Sequence, residues 1–438
     1  DIELKDLVFI VLSQPNTYHK QRAKLFTDHF QNQLTELSQE NKPEVYLLHK
    51  KWPSTGSWTI LSIIQSLNEL FKDKAWIIFV EEETRIDLKR ILQVLEKYSH
   101  KQKYFLGKAL YDKSATIIHH FAFFEDPTVF KYPDPAAGMF FSQGLLQSLS
   151  KRLSKDEIKT GFTIDFKHEL AMFINNENKG VNLTDVKEFC TISDDKDCVT
   201  TSPFIFPKCG PAIPEEDLYI GVKTCEKFHK DRIPVVKGTW GKENIDTEYF
   251  SETEDSSIPT INLGVANTER GHCEKTISII RRFINEDKYK NKKWLLIADD
   301  DTVINLKRLR RLLSCYNSED KIALGERYGY GVSKGFGYDY ITGGGGMIFS
   351  RPVANFISEK CSCPSIDSPD DMIIGMCLNR YHIPITHSRY IHQARPEDYS
   401  EEFLSNQLPV SFHKHWNVDP YKVYQLLMEG DLPEHDEL

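Results

Sequence analysis

The stretch Trp294-Leu295-Leu296-Ile297-Ala298-Asp299-Asp300-Asp301-Thr302 runs five apolar residues into three consecutive carboxylates. An apolar run this short, bounded by polar residues, predicts a buried strand. The carboxylates then emerge at its carboxyl end, where open α/β sheets bind ligands. Three like charges in one turn repel one another unless a cation neutralises them. Hard oxygen ligands select Mg²⁺ or Mn²⁺, ions that commonly complete their shell with phosphate oxygens. A solvated acidic turn is the competing reading, weakened by the position directly after a strand.

The same pattern occurs earlier. Trp76-Ile77-Ile78-Phe79-Val80-Glu81-Glu82-Glu83-Thr84 precedes its counterpart by 218 residues, and Ile86-Asp87-Leu88-Lys89-Arg90 continues the match with Ile304-Asn305-Leu306-Lys307-Arg308. Leu106-Gly107 pairs with Leu324-Gly325, and Gly138-Met139-Phe140-Phe141-Ser142 with Gly346-Met347-Ile348-Phe349-Ser350. Several matches in one order argue for two copies of one α/β domain rather than a short-period solenoid. Apolar runs alternate with segments of helical spacing, such as Leu306, Leu309, Leu312 and Leu313, so each copy predicts a mostly parallel sheet covered by helices on both faces. The expected domains are 1–175, a Cys-containing polar linker 176–215, and 216–438.

The 438 residues suffice for two or three domains with real cores. Hydrophobic residues make up 40% and charged residues 27%, a globular balance. Lys and Arg number 55 against 64 Asp and Glu, a net charge of −9 that argues against a nucleic-acid partner. No apolar run reaches the ~20 residues that span a bilayer. The first residue is Asp1 rather than Met, consistent with a removed leader. The last four, His435-Asp436-Glu437-Leu438, match the address read by the endoplasmic-reticulum retrieval receptor and predict residence in that lumen. An oxidising compartment suits the nine cysteines, which lack paired CxxC zinc spacing and, being odd in number, leave at least one thiol unpaired. Cys190, Cys198 and Cys209 are candidates to cross-link the linker, and Cys361 with Cys377 is the expected bridge around Asp370-Asp371. Asn182-Leu183-Thr184 is a glycosylation sequon.

Three further motifs follow the acidic triplet. Gly343-Gly344-Gly345-Gly346 lies between apolar flanks, which marks a close backbone approach rather than a flexible loop. Asp370-Asp371 follows Pro369 and opens an apolar helical segment, so the pair serves either as a cap or as a general base. His413 and His415 alternate in Phe412-His413-Lys414-His415-Trp416 and face one side if the segment is extended, as metal ligands would. A structural or merely exposed His pair is the bland alternative.

These motifs together resemble the fringe-like β-1,3-glycosyltransferases. Val222-Lys223-Thr224, Phe228-His229, Arg232 and Thr239-Trp240 resemble that family's opening. Trp294–Asp301 resembles its DDD strand, Thr342–Gly346 its TGGAG segment, Pro369-Asp370-Asp371 with Gly375 its PDD…G element, and Phe412–His415 its FHSH. The resemblance spans roughly residues 215–420 and implies a GT-A fold, hence two tandem GT-A-like domains with a Rossmann-like mixed sheet flanked by helices, the first degenerate. It also implies inverting transfer from a UDP-sugar. Asp301 would coordinate Mn²⁺ (or Mg²⁺) together with His413 or His415, and Asp299 and Asp300 would lie at the ribose and diphosphate. Gly344 and Gly345 would approach the donor, and Thr224, His229 and Arg232 the uridine. Asp371 would be the base, and Trp416 would stack on a sugar. The retrieval-type terminus, the extra amino-terminal copy and the lack of an anchor depart from fringe itself. They favour the lumenal branch that uses UDP-glucose to extend O-linked fucose on folded thrombospondin type 1 repeats. Another UDP-sugar or acceptor on the same fold, or a non-catalytic lumenal lectin or folding helper, are the alternatives. In the first copy Glu81–Glu83 replace the aspartates, Ala136-Ala137-Gly138 replaces most of the glycines, and Glu169 stands where Asp371 is expected, which predicts no catalysis there.

Overall fold

A computed structural model describes the chain except for residues 1, 38–41, 120–125, 156–157, 159–160, 193–195, 203–205, 244 and 431–438. The retrieval-type terminus therefore lies outside the described residues. The chain divides into two units. One comprises Asp1–Phe204 with Gly329–Tyr338 and Ser400–Asn406; the other comprises Ile205–Tyr328, Asp339–Tyr399 and Gln407–Leu438.

The first unit carries a six-stranded sheet built from β1 (Leu7–Val11), β2 (Glu44–Leu47), β3 (Trp76–Val80), β4 (Phe105–Gly107), β5 (Met139–Ser142) and β6 (Leu183–Asp185), in the order β6-β4-β5-β3-β1-β2. The second unit carries β7 (Leu218–Lys223), β8 (Asp246–Phe250), β9 (Thr260–Ile261), β10 (Trp294–Asp299), β12 (Ala323–Gly325), β13 (Met347–Ser350) and β14 (Ile385–His387), in the order β9-β8-β7-β10-β13-β12-β14. A separate two-stranded ribbon pairs β11 (Thr302–Ile304) with β15 (Ser411–His413).

The two sheets share one plan. All strands run parallel except β5 and β13, whose registers correspond residue for residue: Trp76 faces Ser142, and Trp294 faces Ser350. The central strands are wholly buried, so they consist of unbroken apolar runs such as Trp76–Val80. Two apolar clusters, one with Val8, Ile77 and Phe141 and one with Phe9, Ile78 and Phe140, take alternate residues of the first sheet and so cover its two faces. The expected all-linker character of 176–215 is corrected here. Leu183–Asp185 pairs in parallel with Phe105–Gly107 and completes the first sheet, because Leu183 buries its side chain there although its neighbours are polar.

Four disulfides form: Cys190–Cys198, Cys209–Cys315, Cys273–Cys363 and Cys361–Cys377. The expected Cys361–Cys377 bridge is among them. Cys225 is the free thiol and is buried. Asn182 of the sequon is exposed. Among the described residues no helix is long and apolar enough to cross a membrane.

Candidate active site

β10 ends where its register brings Asp299 beside Lys223, the last residue of β7. The chain then turns through Asp300 and Asp301 into β11, and the Thr302 hydroxyl locks the turn by accepting from the Asp299 N–H (3.1 Å) and donating to the Gly344 carbonyl (2.8 Å). The triplet and the glycine run are thus tied by one side chain. Ribbon pairing sets Thr302 opposite His413, which delivers the imidazole to the acidic turn. Its Nε2 lies 3.0 Å from Asp301 and 3.6 Å from Asp299, and its Nδ1 is 3.0 Å from the Gln393 carbonyl. A proton on Nδ1 donated to that carbonyl leaves Nε2 as the lone-pair donor, the arrangement that orients metal-binding histidines.

Asp299, Asp301 and His413 each place one ligand atom within 4.8 Å of the others. Two carboxylate oxygens and one imidazole nitrogen suit Mn²⁺ and accommodate Mg²⁺. Burial opposes a charge on His413, yet Asp301 and Asp299 outweigh it and raise its pKa, while the same pair formation holds Asp301 below the usual carboxylate range. A cation would take the place of that shared proton. His415 does not join the cluster; it is half-buried, and its Nε2 has no hydrogen-bond partner among the described residues. The alternation of the two histidines in sequence does not discriminate between them, whereas the ribbon register does.

Gly344 explains itself sterically. A Cβ there would lie 2.2 Å from His413 Nδ1, so the imidazole occupies space that only glycine leaves. Gly345 donates its N–H to Gln393 (3.1 Å) and accepts from the Ser411 hydroxyl (2.6 Å), fixing the same wall.

Asp300 points the other way, toward Thr224 (2.7 Å) and Arg232 (2.8 Å), and Arg232 also reaches Asp301 (3.0 Å). Burial raises Asp300 to about 6 in spite of both partners. His229 stands apart from the triplet and is held by Ser251 (2.7 Å) at the end of β8. Thr224 and Arg232 therefore join the acidic turn, and His229 does not.

The helix Asp370–Arg380 separates the roles of the paired aspartates. Asp370 is buried and accepts from Lys223 (2.7 Å) and Thr276 (2.6 Å), which hold it at about 2 against the effect of burial. Among the described residues no cation pairs with Asp371. It accepts from the N–H groups of Met372 (2.8 Å) and Gly343 (3.3 Å), and burial reinforced by Asp370 pushes it up to about 7. A carboxylate poised near neutrality beside a cation site is suited to take a proton from an incoming alcohol. Lys223, missed as a functional candidate in the sequence, bonds both Asp299 (3.0 Å) and Asp370 and so ties the strand end to this helix. Its place directly before Thr224 was the signal.

The first unit repeats the turn with different side chains around it. Thr84 accepts from the Glu81 N–H and donates to the Ala136 carbonyl, as Thr302 does. Glu83 pairs with Arg22 and Glu82 with His19, and no group of three ligating side chains gathers there among the described residues. Glu169 folds back onto the Ile164 N–H (3.4 Å). The expectation that it occupies the place of Asp371 is corrected by the helix itself: counting from the first residue of Phe166–Asn175, the second position is Lys167. Asp112, His119 and His168 do cluster, but both His119 nitrogens meet carboxylates, Asp112 at 2.6 Å and Asp165 at 2.8 Å, and His168 stacks flat on the ring at 3.7 Å. Parallel stacked rings cannot aim two lone pairs at one ion.

Comparison with known proteins gives the class of this mixed-sheet protein as a glycosyltransferase: a family model described as Fringe-like matches residues 2–194 and again 213–431. The chain belongs to the Fringe-like family. It is 49% identical over 426 residues to the β-1,3-glucosyltransferase of Mus musculus, covering 97% of this chain and 86% of that protein, and 50% identical over the same length to the Homo sapiens protein of that name. The β-1,3-N-acetylglucosaminyltransferase lunatic fringe of Xenopus laevis is 27% identical over 260 residues, 51% of this chain and 67% of its own. A solved glycosyltransferase involved in glycosylation of the major capsid of PBCV-1 aligns over 45% of this chain and 91% of its own at 10% identity, with a TM-score of 0.28, too low to bear on the fold.

Proposed function

We propose that the protein transfers glucose from UDP-glucose to the 3-hydroxyl of O-linked fucose on folded thrombospondin type 1 repeats, with inversion, in the lumen of the endoplasmic reticulum. The observation that carries the reading is the convergence of Asp299, Asp301 and His413 beside the turn that Arg232 and Thr224 also face. The name of the mouse and human relatives supports glucose as the sugar moved. The extra amino-terminal copy supports the acceptor, and His435-Asp436-Glu437-Leu438 supports the compartment and a retrieval-receptor partner.

Asp299, Asp301 and His413 would hold Mn²⁺ or Mg²⁺, which supplies charge stabilisation for the departing diphosphate. Arg232, 3.0 Å from Asp301, adds a cation on the same side. Thr224 and Asp300 orient the nucleoside end. The Asp371 carboxylate, fixed by two backbone N–H groups, takes the proton of the fucose 3-hydroxyl as its oxygen bonds to the anomeric carbon, and the bond from that carbon to the diphosphate oxygen breaks on the opposite face. The first unit takes no part in this chemistry, since Glu83 is held by Arg22 and Glu82 by His19; it serves stability or grips the acceptor.

The test is a donor screen on the purified chain with a fucosylated repeat. UDP-glucose should be turned over fastest, in a Mn²⁺-dependent reaction that yields a β-1,3-linked disaccharide. A faster rate with UDP-galactose or UDP-N-acetylglucosamine refutes the donor, and no turnover of any UDP-sugar returns the protein to a lectin or folding role.

A further inference from the structure

Trp416 is 60% exposed, the most exposed tryptophan among the large apolar side chains at the surface, yet it is not loosely held. The Arg395 guanidinium lies 4.8 Å from the centre of its ring and donates to its backbone carbonyl at 3.0 Å. Arg395 is itself buried and clamped by Asp398 through two contacts, Nε at 2.8 Å and Nη2 at 3.0 Å. The loop that carries Trp416 starts at the metal-site wall: the Lys414 N–H donates to the Asp301 carbonyl (3.1 Å), one residue after His413. Lys414 (φ 77°) lies in the left-handed region, which residues other than glycine and asparagine adopt only where the surroundings over-determine them, often at ligand clamps.

A buried ion pair and one unfavourable backbone conformation thus fix an indole that leaves most of its surface exposed. Packing does not require this. A fixed, rigid aromatic face presented to solvent offers contact area at little entropic loss on binding, and the C–H face of a pyranose is its natural complement. The donor side is different in character, since Thr224 and Asp300 there are both buried. We infer that Trp416 is the stacking platform for the acceptor's sugar ring, held in place by Arg395 and Asp398 as positioning residues. This rests on the transferase reading above and names the side of the site from which the acceptor enters.

Methyl α-L-fucoside serves as the probe, with UDP-glucose and Mn²⁺ and the full chain. Trp416→Ala should raise the KM for the fucoside at least tenfold, Trp416→Phe should recover part of the loss, and the KM for UDP-glucose should stay within twofold of the wild type. Circular dichroism and the thermal midpoint check that each variant is folded. An unchanged fucoside KM in a folded Trp416→Ala overturns the platform, as does a loss confined to the UDP-glucose KM. If the wild type releases glucose from UDP-glucose but glycosylates neither the fucoside nor a fucosylated repeat, the acceptor reading and the platform fall together while the donor reading stands.

Discussion

Replacing Gly344 by alanine isolates the fit between the glycine run and the metal site. The added Cβ would sit 2.2 Å from His413 Nδ1, 2.3 Å from Cε1 and 2.5 Å from Cγ, where ordinary contact begins at 3.4 Å, so the ring must withdraw by about 1.2 Å. It cannot tilt freely, because its Nδ1 is held by the Gln393 carbonyl and its backbone N–H by Ala394. Ligand distances tolerate only about ±0.2 Å, and disturbing an orienting neighbour of a ligand typically lowers metal affinity ~10–100-fold. Mn²⁺ binding followed by electron paramagnetic resonance should therefore weaken by about that factor, and transfer at fixed Mn²⁺ should fall in parallel. Gly343→Ala is the control, since nothing approaches its Cβ position closer than 4.0 Å. If Gly344→Ala binds Mn²⁺ like the wild type, or if Gly343→Ala is equally damaged, His413 is not a ligand.

Asp371→Asn should lower kcat by roughly 10²–10⁴-fold with UDP-glucose binding intact by calorimetry; a drop below about tenfold would remove it as the base. Because Asp371 must be ionised to accept a proton and its pKa is raised to about 7, kcat should climb as pH rises through neutrality, and this limb should vanish in the asparagine variant. Lys223→Met leaves Asp299 and Asp370 without their shared cation and should destabilise the chain by about 3–5 kcal/mol, read as a thermal midpoint lower by roughly 6–11 °C. Asp299→Asn with Asp301→Asn should abolish all Mn²⁺-dependent UDP binding by calorimetry; residual metal-dependent binding would place a second site in the first unit.

Much of this was legible because strand burial and carboxylate clustering leave local marks. Trp294–Asp301 reveals its strand and its acidic end without any tertiary information, and its echo at Trp76–Glu83 reveals the second sheet. What escaped depended on register. Nothing in Phe412–Trp416 chooses between two histidines until β15 pairs with β11. Glu169 looked equivalent to Asp371 until the helix start showed Lys167 in that place. Leu183–Asp185 is too short and too polar to signal a strand, and pairing with Phe105–Gly107 alone makes it one. Lys223 stood out only through its place beside Thr224, because both of its partners, Asp299 and Asp370, are distant in sequence.

The matched Trp–Ser registers of the two antiparallel strands have a consequence for biosynthesis. Met139–Ser142 presents to Trp76–Val80 nearly the same edge that Met347–Ser350 presents to Trp294–Asp299, so each central strand meets two eligible mates in one polypeptide. Ribosomal order resolves the ambiguity in part, since the earlier pair is complete long before the later one emerges. Delayed folding of the earlier unit would reopen the contest, and exchanged strands would be the expected misfolded product for quality control to catch.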